Sequence, residues 1–292
     1  MNKHFLYYLA PIFKFLIFAL FLIMWTFPFL LISQFNFIQL KVDSLAMDLY
    51  FEVVLILVVL GALLMIFHVL WLRFENVFIV RKDMLPGFLK GSLIGFLLIL
   101  GCSGLAFLSG NVVFSLTKIN LLMVLGYALL YILVAIAEEL LFRSFPLFIF
   151  AESYPVPVAI LISSVFFGLA HMGNPDFTWL AMLNITLAGV LLSIFILQQK
   201  NISWAIGIHF AWNFTQGVLL GYNVSGTDSP GILLAKPIGS VYLSGGKFGI
   251  EGSIFCTGLM LIIITFMLVR YRIEPLAMTE EKEVEIDNRN GE

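Results

Sequence analysis

Two adjacent carboxylates followed by an arginine, Glu138, Glu139 and Arg143, stand in Ala-Glu-Glu-Leu-Leu-Phe-Arg (137–143) at the end of a long apolar run. A bare charge at that depth in a bilayer costs roughly 3 kcal/mol or more, so the placement requires a partner or a purpose. Glu139 and Arg143 are i,i+4 and share a helical face, whereas Glu138 is turned about 100° away from them. The spacing predicts one carboxylate held in an ion pair and a second available for proton transfer. The plainer alternative is an interfacial Glu–Arg pair that anchors a helix end in the headgroups.

Downstream, Phe-Phe-Gly-Leu-Ala-His-Met-Gly-Asn (166–174) sets Phe167 and His171 one turn apart, and Gly-Ile-His-Phe-Ala-Trp-Asn (207–213) does the same for His209 and Asn213. Imidazole and carboxamide on one face inside an apolar run should point into a bundle rather than at lipid. There they can donate to an oxyanion or simply hydrogen-bond a neighbouring helix. Two carboxylates, an Arg, two His and an Asn from three separate runs are most economically housed in one water-filled cavity. In it a carboxylate and a histidine can activate water or hold a metal, while the remaining His and Asn stabilise a tetrahedral intermediate.

The elements that must position these groups are membrane helices. Of 292 residues 61% are hydrophobic and 12% charged, and mean hydropathy is +1.04, far from the composition of a soluble domain. The thirty Phe residues are spread through nearly every apolar run. Runs of the roughly twenty residues needed to span hydrocarbon occur at 12–33, 50–72, 88–108, 119–142 with an extension to 150, 155–172, 178–198, 202–221 and 252–271. The fold class expected is therefore all-α, a polytopic membrane bundle of about eight spans with no soluble domain and no internal repeat.

The first run, flanked by Lys3 and Lys14 and continuing to Ile32 without a small-residue cleavage signature, reads as a retained span rather than a signal peptide. Of the sixteen Lys and Arg residues, twelve fall on one side of this arrangement and only Lys41, Lys118, Lys236 and Lys247 on the other. That bias predicts both termini in the cytoplasm. Cys102 and Cys256 read as small buried hydrophobes, without a disulfide framework or thiolate zinc site. Residues 221–252, rich in Gly and polar side chains, read as one long external or re-entrant loop or a plain connector. The acidic stretch 273–292 reads as a disordered cytoplasmic tail. The net charge of −2 gives no reason to expect a nucleic-acid partner.

Depth sets a test. A fourth span ending near 142 leaves Glu138 close to one membrane face, while His171 lies about 24 Å along the fifth span. The two depths agree only if the fourth helix runs on to about Phe150 or the fifth starts well outside the membrane.

Glu-Glu-x-x-x-Arg (138–143), Phe-x-x-x-His (167–171) and His-x-x-x-Asn (209–213), in that order in a multi-span chain, resemble the CPBP intramembrane proteases, which include the eukaryotic CAAX prenyl endopeptidases and many bacterial Abi-type proteins. The resemblance covers roughly 120–256, with Gly-Asn-Pro (173–175), Leu-Ala-Gly-Val (187–190) and Phe-Gly-Ile-Glu-Gly-Ser (248–253) also similar to bacterial members; residues 1–110 carry no such signal. It implies a catalytic bundle over 119–272 in which Glu138 and His171 activate water, His209 and Asn213 form the oxyanion site, and Glu139, Arg143 and Phe167 support them.

The implied activity is hydrolysis of a peptide bond in a membrane-associated, prenylated or otherwise lipidated protein or peptide, in a multi-pass protein of a bacterial plasma membrane among membrane lipids. Members are classed as metalloproteases, although a metal-free, glutamate-activated water is also argued for them. The cofactor is thus left open between none and a divalent metal such as zinc, with Glu138, His171 and His209 as candidate ligands; no His-Glu-x-x-His helix is present. Three other readings remain. Gly-Cys-Ser-Gly (101–104) fits the Gly-x-Ser-Gly pattern of rhomboid serine proteases. Intramembrane Glu and His also suit a proton-coupled transporter, and a non-catalytic immunity or binding protein could use the same fold.

Overall fold

The computed structural model describes residues 3–34 and 44–276; most of the acidic tail, from 277, lies outside them. The apolar runs form α1 (Lys3–Gln34), α2 (Ser44–Leu70), α3 (Met84–Leu108), α4 (Leu121–Arg143), α5 (Phe145–Ser153), α6 (Val156–Ala170), α7 (Trp179–Gln199), α8 (Ser203–Phe214) and, after a four-residue α9 (Val241–Ser244), α10 (Ile254–Arg270). Five stretches among the described residues are long and apolar enough to cross a membrane, and α6 and α10 are shorter apolar helices. With α4 and α5 counted as one broken rod, the all-α membrane bundle expected from the hydropathy pattern is present. One small departure is an antiparallel pair of strands, β1 (Val112–Leu116) and β2 (Leu233–Pro237), registered from Val112 opposite Pro237 to Leu116 opposite Leu233.

The break between α4 and α5 resolves the depth problem. Pro146 has no N–H to give the carbonyl four residues back and its ring clashes there, so the helix cannot pass through it unbroken. The carbonyl left without a helical donor is that of Phe142, and the Ser163 hydroxyl of α6 donates to it at 2.9 Å. Ser144 turns its own hydroxyl onto the Leu140 carbonyl. The chain thus runs on through an apolar stretch of 33 residues, Leu121–Ser153, before turning back at Tyr154 and Pro155. Glu138 stands 15 residues before Ser153 and His171 stands 15 residues after Val156, counted along the sequence. Two antiparallel rods of equal length from one turn bring their residues to the same level.

A second device seats α8. Gly87, Gly91 and Gly95 recur every four residues on one face of α3, and Gly207 answers from α8. A methyl group at Gly91 would run into the Trp204 carbonyl, one at Gly95 into the Ile208 carbonyl, and one at Gly207 into the Phe88 carbonyl. The two backbones touch because none of these residues carries a side chain, the small-residue packing that lipid-embedded helices favour. After Asn213, α8 passes into a π-helical turn, Thr215–Leu219, a widening that recurs at functional sites.

Residues 221–252, expected as a loop or connector, are a structured cap. Asn223 donates to the Lys247 carbonyl at 2.9 Å, the Gly226 N–H to the Phe248 carbonyl at 2.8 Å, and Asn174 to the Ser225 carbonyl at 3.0 Å. Gly226 has φ +83°, and a Cβ there would meet the Pro175 carbonyl, so only glycine brings the turn this close.

Candidate active site

Glu139 is placed on the interior face of α4 by the four-residue spacing that also carries Arg143. Both side chains are 0% exposed, and the Arg143 guanidinium donates to Glu139 Oε1 at 2.9 Å. The same oxygen accepts from His209 Nδ1 of α8 at 3.0 Å. A carboxylate accepts only, so His209 carries a proton on Nδ1 and its Nε2 is turned toward Glu138. The remaining face of the guanidinium lies over the Phe167 ring, with Cζ 3.7 Å from the centroid. A cation–π contact of this kind suits a buried cation whose Nε and Nη2 have no hydrogen-bond partner.

Phe167 is the hub of the support. Its edge contacts reach His171 at 4.7 Å and His209 at 6.0 Å between centroids, and Phe142 packs against it at 5.4 Å. His171, at the C-cap of α6, has Nδ1 2.8 Å from the Phe167 carbonyl. A carbonyl can only accept, so this nitrogen carries the proton and His171 Nε2 presents a lone pair.

Between the two imidazoles sits the free carboxylate. Glu138 Oε2 is 3.9 Å from His171 Nε2 and 3.8 Å from His209 Nε2, with the Glu138 side chain 22% exposed. That oxygen has no hydrogen-bond partner. Gaps of this length exceed a direct hydrogen bond and suit a shared water. Glu138, Phe167, His171, His209 and Asn213 all line one cavity of about 350 Å³. The division drawn from spacing, one paired carboxylate and one unpaired, is what the geometry places here.

Metal ligation is a separate matter. Among the described residues no group of three His, Cys, Asp or Glu side chains has the arrangement to hold a metal. One carboxylate oxygen and two imidazole nitrogens are, by type alone, the donors of a three-ligand catalytic zinc shell. Their gaps of 3.8 and 3.9 Å suit a shared water, the occupant taken for the reading below.

The rest of the cavity wall was not picked out from the sequence. Asp48 and Glu52 of α2 line it, as do Asn184 of α7 and Ser225, Asp228 and Glu251 of the cap. Asp48 and Glu52 obey the same criterion that marked Glu138, a carboxylate in an apolar helix, and could have been found by it. Glu251 was visible only as part of a family-like segment without a role. Lying between α8 and α10, its carboxyl is pushed up by burial, against hydrogen bonds from Ser225 and Trp212 that pull it down.

Ser103, the serine of Gly-Cys-Ser-Gly, is buried in α3, 3.0 Å from the Tyr222 hydroxyl, and is not part of the cavity wall. Its hydroxyl meets a tyrosine, and among the described residues no hydrogen bond joins it to an imidazole, so the rhomboid-type reading loses its nucleophile.

Residues 119–215 match the family model described as Type II CAAX prenyl endopeptidase Rce1-like. No curated protein and no solved structure matches the chain. The matched segment contains Glu138, Glu139, Arg143, Phe167, His171, His209 and Asn213, the residues whose side chains the fold gathers. Over residues 119–215, about a third of its length, this membrane protein is thus similar to the type II CAAX prenyl endopeptidases.

Proposed function

We propose that the chain is an intramembrane endopeptidase in which Glu138 activates water. The observation that carries this reading is Glu138 Oε2, without a hydrogen-bond partner, lying 3.8 and 3.9 Å from two imidazole nitrogens in one cavity. Water held between Glu138 Oε2 and His171 Nε2 attacks the scissile carbonyl carbon. As the O–C bond forms, Glu138 takes the water proton. The carbonyl oxygen becomes an oxyanion held by the Asn213 amide and by His209 Nε2–H. The C–N bond then breaks, and Glu138 passes its proton to the departing nitrogen, leaving an amine and a carboxylic acid that loses its proton to solvent.

An oxyanion role for His209 requires a proton on both ring nitrogens, because Nδ1 already donates to Glu139. Charge balance supports that state. The carboxylates of Glu138 and Glu139 are matched by Arg143 and a His209 cation, so the cluster is neutral overall, which is the condition for keeping it in a low-dielectric interior.

The substrate is a membrane-associated protein or peptide, with a prenylated or otherwise lipidated C-terminus as the first class to try. The support is the apolar part of the cavity lining, where Leu130, Val134, Ile185, Ala188, Leu191 and Leu192 offer a surface to a lipid chain. Both termini are proposed to face the cytoplasm of a bacterial cell, on the twelve-to-four distribution of Lys and Arg.

The test is turnover by purified protein in detergent or proteoliposomes on a panel of prenylated, acylated and unmodified peptides. Wild type should cleave at least one of them, while Glu138→Gln and His209→Ala lose on the order of 100-fold or more. A chelator should leave the wild-type rate within about twofold, since a His209 protonated on both ring nitrogens has no lone pair to give a metal. Equal cleavage by wild type and both variants would remove the assignment.

A further inference from the structure

Glu251 is a junction between three parts of the molecule. Its carboxylate is 4% exposed and lies in the 3₁₀ turn Ile250–Gly252 that closes the cap. Oε2 accepts from the Trp212 indole N–H of α8 at 3.2 Å. Oε1 accepts from the Ser225 hydroxyl at 2.7 Å and from the Ser225 backbone N–H. Its backbone carbonyl accepts from the Asn184 amide of α7 at 2.6 Å, and Asn184 also reaches the Ser253 carbonyl and the Thr257 hydroxyl. Glu251, Ser225, Asn184 and Trp212 all face the cavity that holds Glu138.

Resting on the protease reading above, we propose that Glu251 is a positioning residue for the reaction. It acts through Trp212, fixing the turn of α8 that presents His209 and Asn213 to the oxyanion, and it clamps Ser225 of the cap over that turn. The argument is one of local freedom. The α3 glycine ladder meets α8 at Trp204, Gly207 and Ile208, before the functional residues, and beyond Asn213 the helix loosens into its π turn. Trp212 lies between these two regions, immediately before Asn213, so its indole is a handle on the orientation of the amide. Displacement of a donor by as little as 1 Å can cost up to 100-fold in rate, and a buried carboxylate accepting three donors resists such displacement.

The test uses Glu251→Gln, Trp212→Phe and the double variant in the full-length protein, on whichever peptide wild type cleaves and Glu138→Gln does not. In Glu251→Gln the amide oxygen stays with the two Ser225 donors, so the amide NH₂ faces the indole N–H and the Trp212 bond is lost. We expect kcat to fall about tenfold per folded molecule with KM within twofold. Trp212→Phe should do the same, and the double variant should be no slower than either single. Hydrogen exchange over 221–229 should quicken in Glu251→Gln, where a neutral amide oxygen holds the Ser225 donors less tightly than a carboxylate, but not in Trp212→Phe, which keeps the charged acceptor. A residue that only holds the fold would lower the folded fraction and leave kcat of the folded molecules unchanged. Unchanged kcat in Glu251→Gln, or losses that multiply in the double variant, would overturn the proposal while the protease reading stands. A wild type that cleaves no peptide on the panel would overturn both.

Discussion

Replacing Glu139 by Gln should destabilise the protein far more than its one lost charge suggests, and a second replacement should repair most of the damage. Glu139 and Arg143 are both wholly enclosed, with Oε1 and Nη1 2.9 Å apart. Removing the carboxylate charge leaves a guanidinium without compensation in a low-dielectric interior, at a cost of roughly 3–5 kcal/mol. Arg143→Met alone exposes the converse fault, a buried carboxylate held only by His209, and should cost a similar amount. In Glu139→Gln/Arg143→Met both charges are gone. Gln can still accept from His209 Nδ1, and the thioether can pack where the guanidinium lay over the Phe167 ring. That variant should come within about 1–2 kcal/mol of wild type.

Function should not follow stability back. Without the Glu139 carboxylate the Nδ1–H of His209 is held by a neutral amide and the imidazole loses one of its two carboxylate neighbours, so turnover of the double variant should stay down by about 10- to 100-fold, the scale of loss when a group orienting a functional imidazole is removed. The assay pairs thermal unfolding in a fixed detergent with turnover on the same preparations. A drop on the order of 10 °C for each single and near-recovery for the double is expected. Two results would refute the reasoning: singles as stable as wild type, or a double variant that regains full activity along with its stability.

Two shorter predictions probe the scaffold. Gly91→Leu on α3 must push α8 away from Trp204 and should lower stability by at least about 1–3 kcal/mol and turnover with it, whereas Gly104→Ala on the same helix, where a Cβ meets nothing, should change neither; unfolding midpoints and turnover of the two variants decide it. Ser103→Ala removes the hydroxyl that meets Tyr222 but should keep turnover within twofold, and a loss of 100-fold or more would restore a serine nucleophile to consideration.

What could be read from the sequence here follows from what hydrocarbon penalises. A helix apolar all round has no periodicity to say which face packs, so lengths and polar breaks delimited the rods but not their neighbours. The rare polar side chains carried the rest, because each must find water or a partner, and Glu138, Glu139, Arg143, His171, His209 and Asn213 were recognisable on that ground. The same rule applies to Asp48 and Glu52, but these stand at the start of α2, where headgroup solvation is an adequate alternative and hides the signal. The Gly87-x₃-Gly91-x₃-Gly95 ladder went unread for a related reason: glycine is common in membrane helices, and only its answering Gly207 on α8, 112 positions after Gly95, shows which of the many glycines are contacts.

The cap illustrates the opposite limit. Its polar groups are matched by partners 24 to 69 residues away: Asn223 with Lys247, Ser225 with Glu251, Trp212 with Glu251, Asn174 with Ser225, Asn184 with Ser253. No local period announces such pairs, and a Gly-rich stretch with scattered polar residues looks the same whether it is slack or stitched. Yet the matched segment 119–215 ends before the cap begins. The residues assigned to chemistry lie within that segment, while the cavity that makes them a site is walled by α2 on one side and by Ser225 and Glu251 on another. The candidate site's polar side chains were therefore legible where a charge in lipid had to be explained, and their enclosure was not, because it is built from ordinary polar residues whose only distinction is whom they meet.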